Sequence, residues 1–424
     1  MPILYCRRIL VLVVALASAV FTLTSFGADS TKAGATNDVT PAQIIARFKP
    51  GESRASLFDM HGNANQDLQS LMVLRFDATN DIMRGIDRMQ GDSHFASVME
   101  ALFNVLGFVK DPASIEWLRE KRRSDAESFY RDYLPAWAGR LQGFGSWEWL
   151  TGRDQWIAFW LDAFHEERSP ERRITLLSVL SQFDDASIVS FFSARRAEMK
   201  DPKEVLLVES YLDAHALPAN GERVAWAVGT LRHSPKNDDF LISMADSLRH
   251  EAFVPFLVGV SDKTESSTFP PYYDAERDLQ AITFECDLHG KAAWQNWYVA
   301  HGKEGRAEWM RSAIDTFRAN LASRPKEAVN RFEKLVYCWN DIVMQPFVEG
   351  ELAPHPEFHS AIAGWINLTY SNFYRERLRP LAERVGADDH IENWARHLLQ
   401  ERGYISGRQN DTWAEAVRRA NSRV

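Results

Sequence analysis

The sequence predicts an all-α protein, and two observations lead to that prediction. From about residue 81 onward, apolar residues recur at helical spacing; for example, Val98, Leu102, Val105 and Leu106 lie at i, i+4, i+7 and i+8. Long alternating runs of β-branched residues bounded by turns, which are typical of strands, are missing from the sequence. We therefore expect the chain to build its core from packed helices.

The first 27 residues have the pattern of a secretory signal peptide. Arg7 and Arg8 precede an apolar stretch, and small residues surround a favourable cleavage point after Gly27. An uncleaved membrane anchor is the alternative, because the 18 residues from Ile9 to Phe26 are long enough to span a bilayer. Either way we expect a periplasmic or extracellular protein with no further membrane contact.

The remainder divides into three predicted parts. Residues 28–40 are small and polar, which predicts a flexible linker. Pro41 suits the first turn of a helix, and residues 41–315 are predicted to form helical repeats. A polar stretch at 261–274, with Pro270-Pro271, predicts a long loop within them. Residues 316–424 are predicted to form an irregular C-terminal helical cap.

A helix–turn–helix pattern recurs along the chain. Residues 102–118 form an apolar helix, an aspartate-containing turn and a second apolar helix, and residues 176–191 match them 73 positions later. Residues 244–257 form a weaker third copy. Offsets of this size hold two helical hairpins of about 35 residues each, which is the size range of helical solenoid repeats.

This cadence, Leu-x-x-Leu-Gly followed by Asp-Pro-x-x-Ile-x-x-Leu, resembles HEAT-type repeats. A second element, in which residues 279–283 lead to Trp294, Trp297 and Trp309, is similar to a segment of exported bacterial HEAT-repeat proteins. There a helix ending in Leu-Thr-Gly precedes a Trp-x-x-Trp helix. Residues 150–160 resemble a shorter version with Gly152, whereas the longer version has Phe284 at the glycine position.

The resemblance covers roughly residues 90–315. It implies a HEAT-like, armadillo-like α-solenoid, which is a right-handed stack of helical hairpins. Its motifs are apolar and degenerate, so it carries no catalytic residue over to this chain.

Charge and motifs exclude several function classes. The formal net charge is −9 and the pI is near 5.8, so the chain lacks the basic surface of a nucleic-acid binder. No phosphate-binding loop, dinucleotide fingerprint or nucleophile elbow is present in the sequence. We expect no cofactor, and we assign no catalytic residue. The acidic balance favours a basic or neutral partner.

One histidine pair is a candidate metal site. His355, Glu357 and His359 place two histidines at i and i+4 with a carboxylate between them. The glutamate lies one position too late for a zinc helix of the H-E-x-x-H type. The alternative is that His355 caps a helix that begins at Pro356 and that His359 is a surface residue.

The cysteines and the tryptophans each allow two interpretations. Cys286 and Cys338 form either a disulfide, which an extracytoplasmic compartment permits, or two separate buried thiols. The 14 tryptophans either fill the core between helices or line a binding surface. The candidate partner-binding residues are Trp147, Trp149, Tyr272, Tyr273, Trp365 and Tyr370.

Two functions are consistent with these patterns. The first is a non-enzymatic solenoid that binds a protein or peptide on a curved surface. The alternative is an extracytoplasmic carbohydrate-active enzyme built as an α/α toroid. It would need two carboxylates roughly 5–9.5 Å apart in an aromatic-lined cleft, with Glu349/Glu351 and Asp274/Glu276 as the candidate places. The sequence predicts no oligomeric state.

Overall fold

The computed structural model describes residues 39–58, 64–74, 76–134, 152–183, 185–215, 217–261, 275–369 and 375–387. Every regular element in these ranges is helical, and their extended pairing is limited to a single antiparallel bridge between Phe58 and Ala64. The prediction of an all-α protein is confirmed. The predicted signal peptide, the linker up to residue 38 and the loop at 262–274 lie outside the described residues.

The described residues form two compact units, one made of those up to residue 183 and the other of those from residue 185 to residue 387. In the first unit the described helices are α1 (Pro41–Ile45), α2 (Arg54–Leu57), α3 (Gln66–Leu74), α4 (Phe76–Met89), α5 (Ala96–Val109), α6 (Ser114–Ser124), α7 (Ala126–Ser128), α8 (Arg153–Glu166) and α9 (Pro170–Leu180). A π-helical turn, Phe129–Tyr133, follows α7.

In the second unit the described helices are α10 (Ala186–Arg195), α11 (Pro202–Ala214), α12 (Gly221–Leu231), α13 (Asp238–Leu248), α14 (Val254–Val260), α15 (Ala275–Thr283), α16 (Lys291–His301), α17 (Arg306–Ser323), α18 (Pro325–Leu335), α19 (Gln345–Phe347), α20 (His359–Thr369) and α21 (Arg375–Val385). The boundary predicted after residue 315 falls inside α17, which continues without a break to Ser323.

Helices of the second unit contact mainly their neighbours in sequence. Adjacent helices pair, as in α11 with α12, α14 with α15 and α17 with α18. Helices two places apart also contact each other along the row α11, α13, α15 and α17, and again between α14 and α16 and between α18 and α20. Helices α11 and α14 therefore each contact both the next helix and the one after it.

Aspartates precede the second helix of both matched sequence segments. Before α6, the Asp111 carboxylate accepts a hydrogen bond from the Ala113 backbone N–H at 2.9 Å. Before α10, the Asp185 carboxylate accepts one from the Ser187 N–H at 2.8 Å. Asp185 is the N-cap of α10 and satisfies a donor of its first turn, whereas α6 begins after Ala113 and has no side-chain cap.

Tryptophans occupy the core of both units. Trp156, Trp160, Trp294, Trp339 and Trp365 are each at most 2% exposed. These five side chains fill the core, as the first of the two interpretations of the tryptophans predicts. They account for much of the tryptophan content of the described residues.

Several of these indoles also donate hydrogen bonds to backbone carbonyls at helix ends. The Trp156 indole donates to the carbonyl of Lys110 at 3.2 Å, and the Trp339 indole donates to that of Phe284 at 3.3 Å. Lys110 and Phe284 both have left-handed backbone conformations after a helix, with φ of 51° and 64°. The indoles thus satisfy carbonyls that helix ends leave without an intrahelical partner.

Candidate functional site

Most of the predicted partner-binding residues lie outside the described residues; these are Trp147, Trp149, Tyr272, Tyr273 and Tyr370. Trp365 is described, and it is fully buried in α20. Its indole donates to the Trp339 carbonyl at 2.6 Å. Because this side chain has no exposed surface, it packs inside the second unit and offers no contact for a partner.

The candidate metal ligands do not converge. The His355 Nδ1 lies 3.9 Å from a Glu357 carboxylate oxygen, and His355 takes the cap position before the turn Pro356–Phe358. The His359 Nε2 lies 3.0 Å from the Ala353 carbonyl oxygen. Within the described residues, no group of three or more histidine, cysteine, aspartate or glutamate side chains is arranged to hold a metal ion.

Cys286 and Cys338 form a disulfide with a Cα–Cα distance of 6.0 Å. The interpretation as two separate thiols is therefore wrong. Cys286 also cannot act as a thiolate nucleophile beside His289 while it is bridged. His289 instead lies 2.7 Å from the Glu276 carboxylate, which also accepts the Gly290 N–H at 2.9 Å.

The other carboxylates proposed for an enzyme also have local partners. Glu351 accepts a hydrogen bond from Arg318 Nε at 2.9 Å, and this contact lowers the pKa of the Glu351 carboxyl. Glu349 accepts one from the Gln345 amide at 3.2 Å. Asp274 lies outside the described residues. Glu351 is therefore held by Arg318 of α17, and Glu349 by a residue one turn before it.

A cleft that the sequence does not predict lies in the second unit, and we call it the helix-end cleft. It has a volume of about 420 Å³ and lies where α12 and α17 begin and α16 ends. The turn Glu251–Phe253 forms another part of its wall. The side chains that give it chemical character are His250, Glu251, Tyr298, Lys303, Glu304 and Trp309.

Two of these side chains are fixed by backbone donors. The Glu251 carboxylate accepts the backbone N–H of Arg306, the first residue of α17, at 2.7 Å. This contact places a negative charge at the positive end of the helix, where it is stabilising. The His250 Nδ1 accepts the Ala252 N–H at 3.1 Å, so this ring nitrogen carries no proton in that arrangement.

Glycines let the walls of the cleft come close together. A β-carbon at Gly221 would lie 3.2 Å from His250 Nε2. A β-carbon at Gly302 would lie 2.6 Å from the Tyr298 ring, which leaves no room for a side chain. The cleft therefore needs glycine at Gly302, at the end of α16.

Buried ion pairs hold the same helices in place. Asp341 is buried and lies 2.5 Å from Arg306 and 3.7 Å from Arg249. Burial by itself would raise the pKa of the Asp341 carboxyl, but the two arginines outweigh it and hold the pKa below its usual value. Because Arg306 begins α17, this pair fixes the helix whose first residues line the cleft.

Two further groups near the cleft have shifted pKa values. Burial lowers the pKa of His250, so the imidazole is neutral at pH 7. Burial raises the pKa of the Asp213 carboxyl, and the negative charge of Asp341 adds to that effect. The two pKa shifts have opposite signs, and in both residues burial favours the uncharged form of the side chain.

An aromatic cluster supports the other side of the cleft. The Trp309 indole donates to the His301 carbonyl at 3.1 Å, and its ring lies 5.2 Å from the Trp297 ring. The Trp297 ring in turn lies 5.9 Å from that of Trp294, which is fully buried. Trp309 therefore packs on Trp297, and Trp297 packs on the buried Trp294.

Sequence reasoning missed the cleft because its residues come from separate helices. His250 and Glu251 lie inside the weak third copy of the repeat pattern, where they were assigned no function. The signal that could have indicated the cleft is the pair Gly302 and Gly305, which stands between Trp297 and Trp309. Two glycines so close to tryptophans indicate a tight turn against a bulky side chain.

Comparison of the chain with protein-family models, with curated proteins and with solved structures finds no match. In the part of the chain that the structure describes, no helix has the length and apolar character needed to cross a membrane.

Proposed function

We propose that the chain is an exported, non-enzymatic α-solenoid that binds a protein or peptide partner in the helix-end cleft. Three features support this proposal: the local pattern of helix contacts, the composition of the cleft, and the disulfide. The HEAT-like character of the repeats is part of the same proposal.

The pattern of contacts in the second unit supports a solenoid. A solenoid is a stack in which each helical hairpin contacts only its neighbours. The row α11, α13, α15 and α17 has that property, since each of these helices contacts the next member of the row.

The composition of the cleft is the observation that carries the binding proposal. It is lined by aromatic rings, by both signs of charge and by the backbone of helix ends. Tyrosine, tryptophan and charged side chains around backbone donors and acceptors are typical of peptide-binding surfaces. Lys303 is exposed at this cleft and has no ion-pair partner among the described residues.

The same cleft is less suited to glycoside hydrolysis. Glu251 and Glu304 both line it beside Tyr298 and Trp309, so it has two carboxylates and two aromatic rings. However, Glu251 is bound to the first N–H of α17, and Glu304 lies 3.2 Å from His301 Nδ1. Catalytic carboxylates must be free to exchange a proton or attack a sugar carbon, so these contacts favour binding over catalysis.

The disulfide supports export. Disulfides persist in oxidising compartments outside the cytosol, and the Cys286–Cys338 bridge is consistent with the signal-like N-terminus.

Affinity capture tests the proposal. We expect the tagged chain to recover one defined partner from its own envelope fraction. We expect Lys303→Glu to change the recovered amount at least about fivefold, because it reverses a charge in the cleft: a gain indicates a basic partner and a loss an acidic one. Lys236→Glu is the matched control, since Lys236 is also exposed in the second unit but does not line the cleft. Equal change with both variants, or recovery that neither variant affects, would exclude the helix-end cleft as the binding site.

A further inference from the structure

A second cleft in the same unit has different chemistry from the first, and we call it the basic cleft. It has a volume of about 320 Å³ and lies between the end of α17 and one face of α18. Its polar lining consists of Asn320, Arg324, Glu327, Asn330, Arg331 and Lys334, and Ala328 adds a small apolar contact. On α18, Glu327, Asn330, Arg331 and Lys334 are spaced at i, i+3, i+4 and i+7, which places them on one helix face.

The charge in this cleft is positive although the protein as a whole is acidic. Three cationic side chains line it and one carboxylate, that of Glu327, opposes them. A cavity of roughly 300–1,000 Å³ with convergent polar groups is the usual size for a small-molecule site. The lining therefore favours a hydrophilic anion over an apolar ligand.

Both arginines are held by exposed carboxylates. Arg331 makes a bidentate pair with Asp287, with one N–O distance of 3.0 Å, and Arg324 lies 3.2 Å from Glu327. The carboxylates of Asp287 and Glu327 are each 71% exposed, so solvent screens both pairs; the bidentate Asp287 pair is the stronger and the single Glu327 contact is the weaker. An incoming anion can replace such a carboxylate at small cost, since a guanidinium binds carboxylate, sulfate and phosphate in the same forked geometry.

The remaining polar groups of the cleft are engaged less closely. The Lys334 ammonium attracts the Asp287 carboxylate and helps to lower its pKa. Among the described residues, nothing forms an ion pair with the Lys334 ammonium, and nothing hydrogen-bonds to the side-chain amides of Asn320 and Asn330. An ammonium and two carboxamides supply donors for an oxyanion and both donors and acceptors for hydroxyl groups.

We propose that the basic cleft binds a small hydrophilic ligand through a carboxylate, sulfate or phosphate group. Arg324 and Arg331 would contact the oxyanion, Lys334 would add a third cation, and the two asparagines would contact neighbouring hydroxyls. Glu327 acts as an internal competitor, because it pairs with one of the arginines in the absence of ligand. The proposal is independent of partner binding in the helix-end cleft.

Calorimetric titration of the purified chain at low ionic strength tests this proposal. The probes are inorganic phosphate, inorganic sulfate and glucuronate, each used alone. We expect saturable binding of one ligand per chain for at least one probe. The probe that binds most tightly identifies the anionic group that the cleft prefers. Absence of binding by all three at up to about 20 mM would overturn the proposal, since electrostatic contacts are strongest at low salt.

Three variants separate the site from general charge attraction. Lys334→Ala should weaken binding at least about fivefold, whereas Lys326→Ala should change it less than about twofold, because Lys326 is exposed on the same helix but outside the cleft. Glu327→Gln should tighten binding, since it removes the internal competitor, and a folding defect cannot produce that result. Equal losses for the two lysine variants, or weaker binding by Glu327→Gln, would contradict the site.

Discussion

Phe284 is the residue at which the sequence and the backbone disagree most clearly. The related position in the shorter element is Gly152, and the two residues have almost the same left-handed backbone, with φ of 66° for Gly152 and 64° for Phe284. Glycine adopts this conformation freely, whereas a bulky residue is strained in it. Phe284 compensates by burying its ring, which is 3% exposed and lies under the Arg306 guanidinium at 5.0 Å.

Because the backbone at Phe284 is strained, we expect glycine to be more stable than alanine at this position, the reverse of their usual order in a helix. Both Phe284→Ala and Phe284→Gly should destabilise the protein, because each removes a buried ring. The glycine variant should nevertheless be more stable than the alanine variant by roughly 1 kcal/mol, since only alanine is strained at positive φ. Urea unfolding measures the difference. Ala281→Gly, inside α15, is the control, and it should lower the free energy of unfolding by about 1 kcal/mol. If Phe284→Ala were more stable than Phe284→Gly, the backbone at this position would not be strained.

The indole of Trp339 predicts a loss that is separate from ring packing. Trp339→Phe keeps an aromatic ring near Phe317 and Phe347 but leaves the buried Phe284 carbonyl without its donor. We expect the free energy of unfolding to fall by about 1–3 kcal/mol. Trp294→Phe is the comparison, because Trp294 is also fully buried but its indole N–H has no hydrogen-bond partner among the described residues. Its replacement therefore removes ring packing alone, and we expect a smaller loss. Equal effects at both positions would rule out the hydrogen bond as the cause.

Replacing Asp341 or Asp213 with asparagine should change the stability of the protein in opposite directions. The pKa of Asp341 is lowered, so its ionised form stabilises the fold above its unfolded pKa, and this stability is lost as pH falls through the folded pKa. The pKa of Asp213 is raised, so stability from that group declines as pH rises from its unfolded pKa through its folded pKa. At pH 7, Asp341→Asn should therefore destabilise the protein and Asp213→Asn should stabilise it slightly.

Unfolding curves between pH 3 and pH 7 check both signs. Asp341→Asn should also flatten the loss of stability at the acid end of this range, because the group that titrates there is gone. A variant at Asp213 that is less stable than the parent protein at pH 7 would show that its carboxylate has a favourable partner in the folded state.

At the scale of elements, most helices could be predicted from apolar spacing and proline positions. Apolar spacing predicts a helix over residues 375–385, which α21 matches, and Pro41 begins a helix as expected. Other ends could not be predicted, because tertiary contacts determine them. The spacing also predicts one helix over residues 326–343, but α18 ends at Leu335. The next residues turn so that Cys338 reaches Cys286 and the Trp339 indole reaches the Phe284 carbonyl.

The candidate site was predictable only in part for the same reason. The cysteine pair could be named from composition and compartment, but pairing depends on geometry that the sequence does not contain. The helix-end cleft combines Tyr298 of α16 with His250 and Gly305 from two segments between helices, and no spacing rule links positions so far apart. Most of the basic cleft could be predicted from helical spacing, since most of its lining lies on one face of α18.

The disulfide joins the end of α15 to the end of α18, and its removal should destabilise the second unit. The bridge has a sequence separation of 52 residues, and a loop of that length corresponds to about 4 kcal/mol in the chain-entropy model. We expect Cys286→Ala with Cys338→Ala to lower the urea midpoint, and we expect a thiol reductant to lower that of the parent protein similarly. The reductant should leave the double variant unchanged; a parent protein whose stability survives full reduction would contradict this prediction.

At the scale of the whole molecule, export predicts a defined mature form. Full-length chain produced in a bacterial host should appear outside the cytoplasm with Ala28 as its first residue, because the favourable cleavage point follows Gly27. Its two remaining cysteines should react with a thiol probe only after reduction. Fractionation, N-terminal sequencing and thiol labelling measure these outcomes. An intact Met1 in the membrane fraction would support the anchor instead, and a reduced cytoplasmic protein would contradict export.

The contact pattern of the second unit has a consequence for the order in which the protein folds. Since α11 to α18 contact mainly near neighbours, each hairpin can form soon after its residues become available, and such local topologies fold quickly. The Cys286–Cys338 bridge is different, because its second cysteine follows the first by 52 residues. In a chain that crosses a membrane from its N-terminus, α15, α16 and α17 are therefore delivered before oxidation can occur. The disulfide then forms after these helices have packed. It stabilises their packing but is not needed to bring them together.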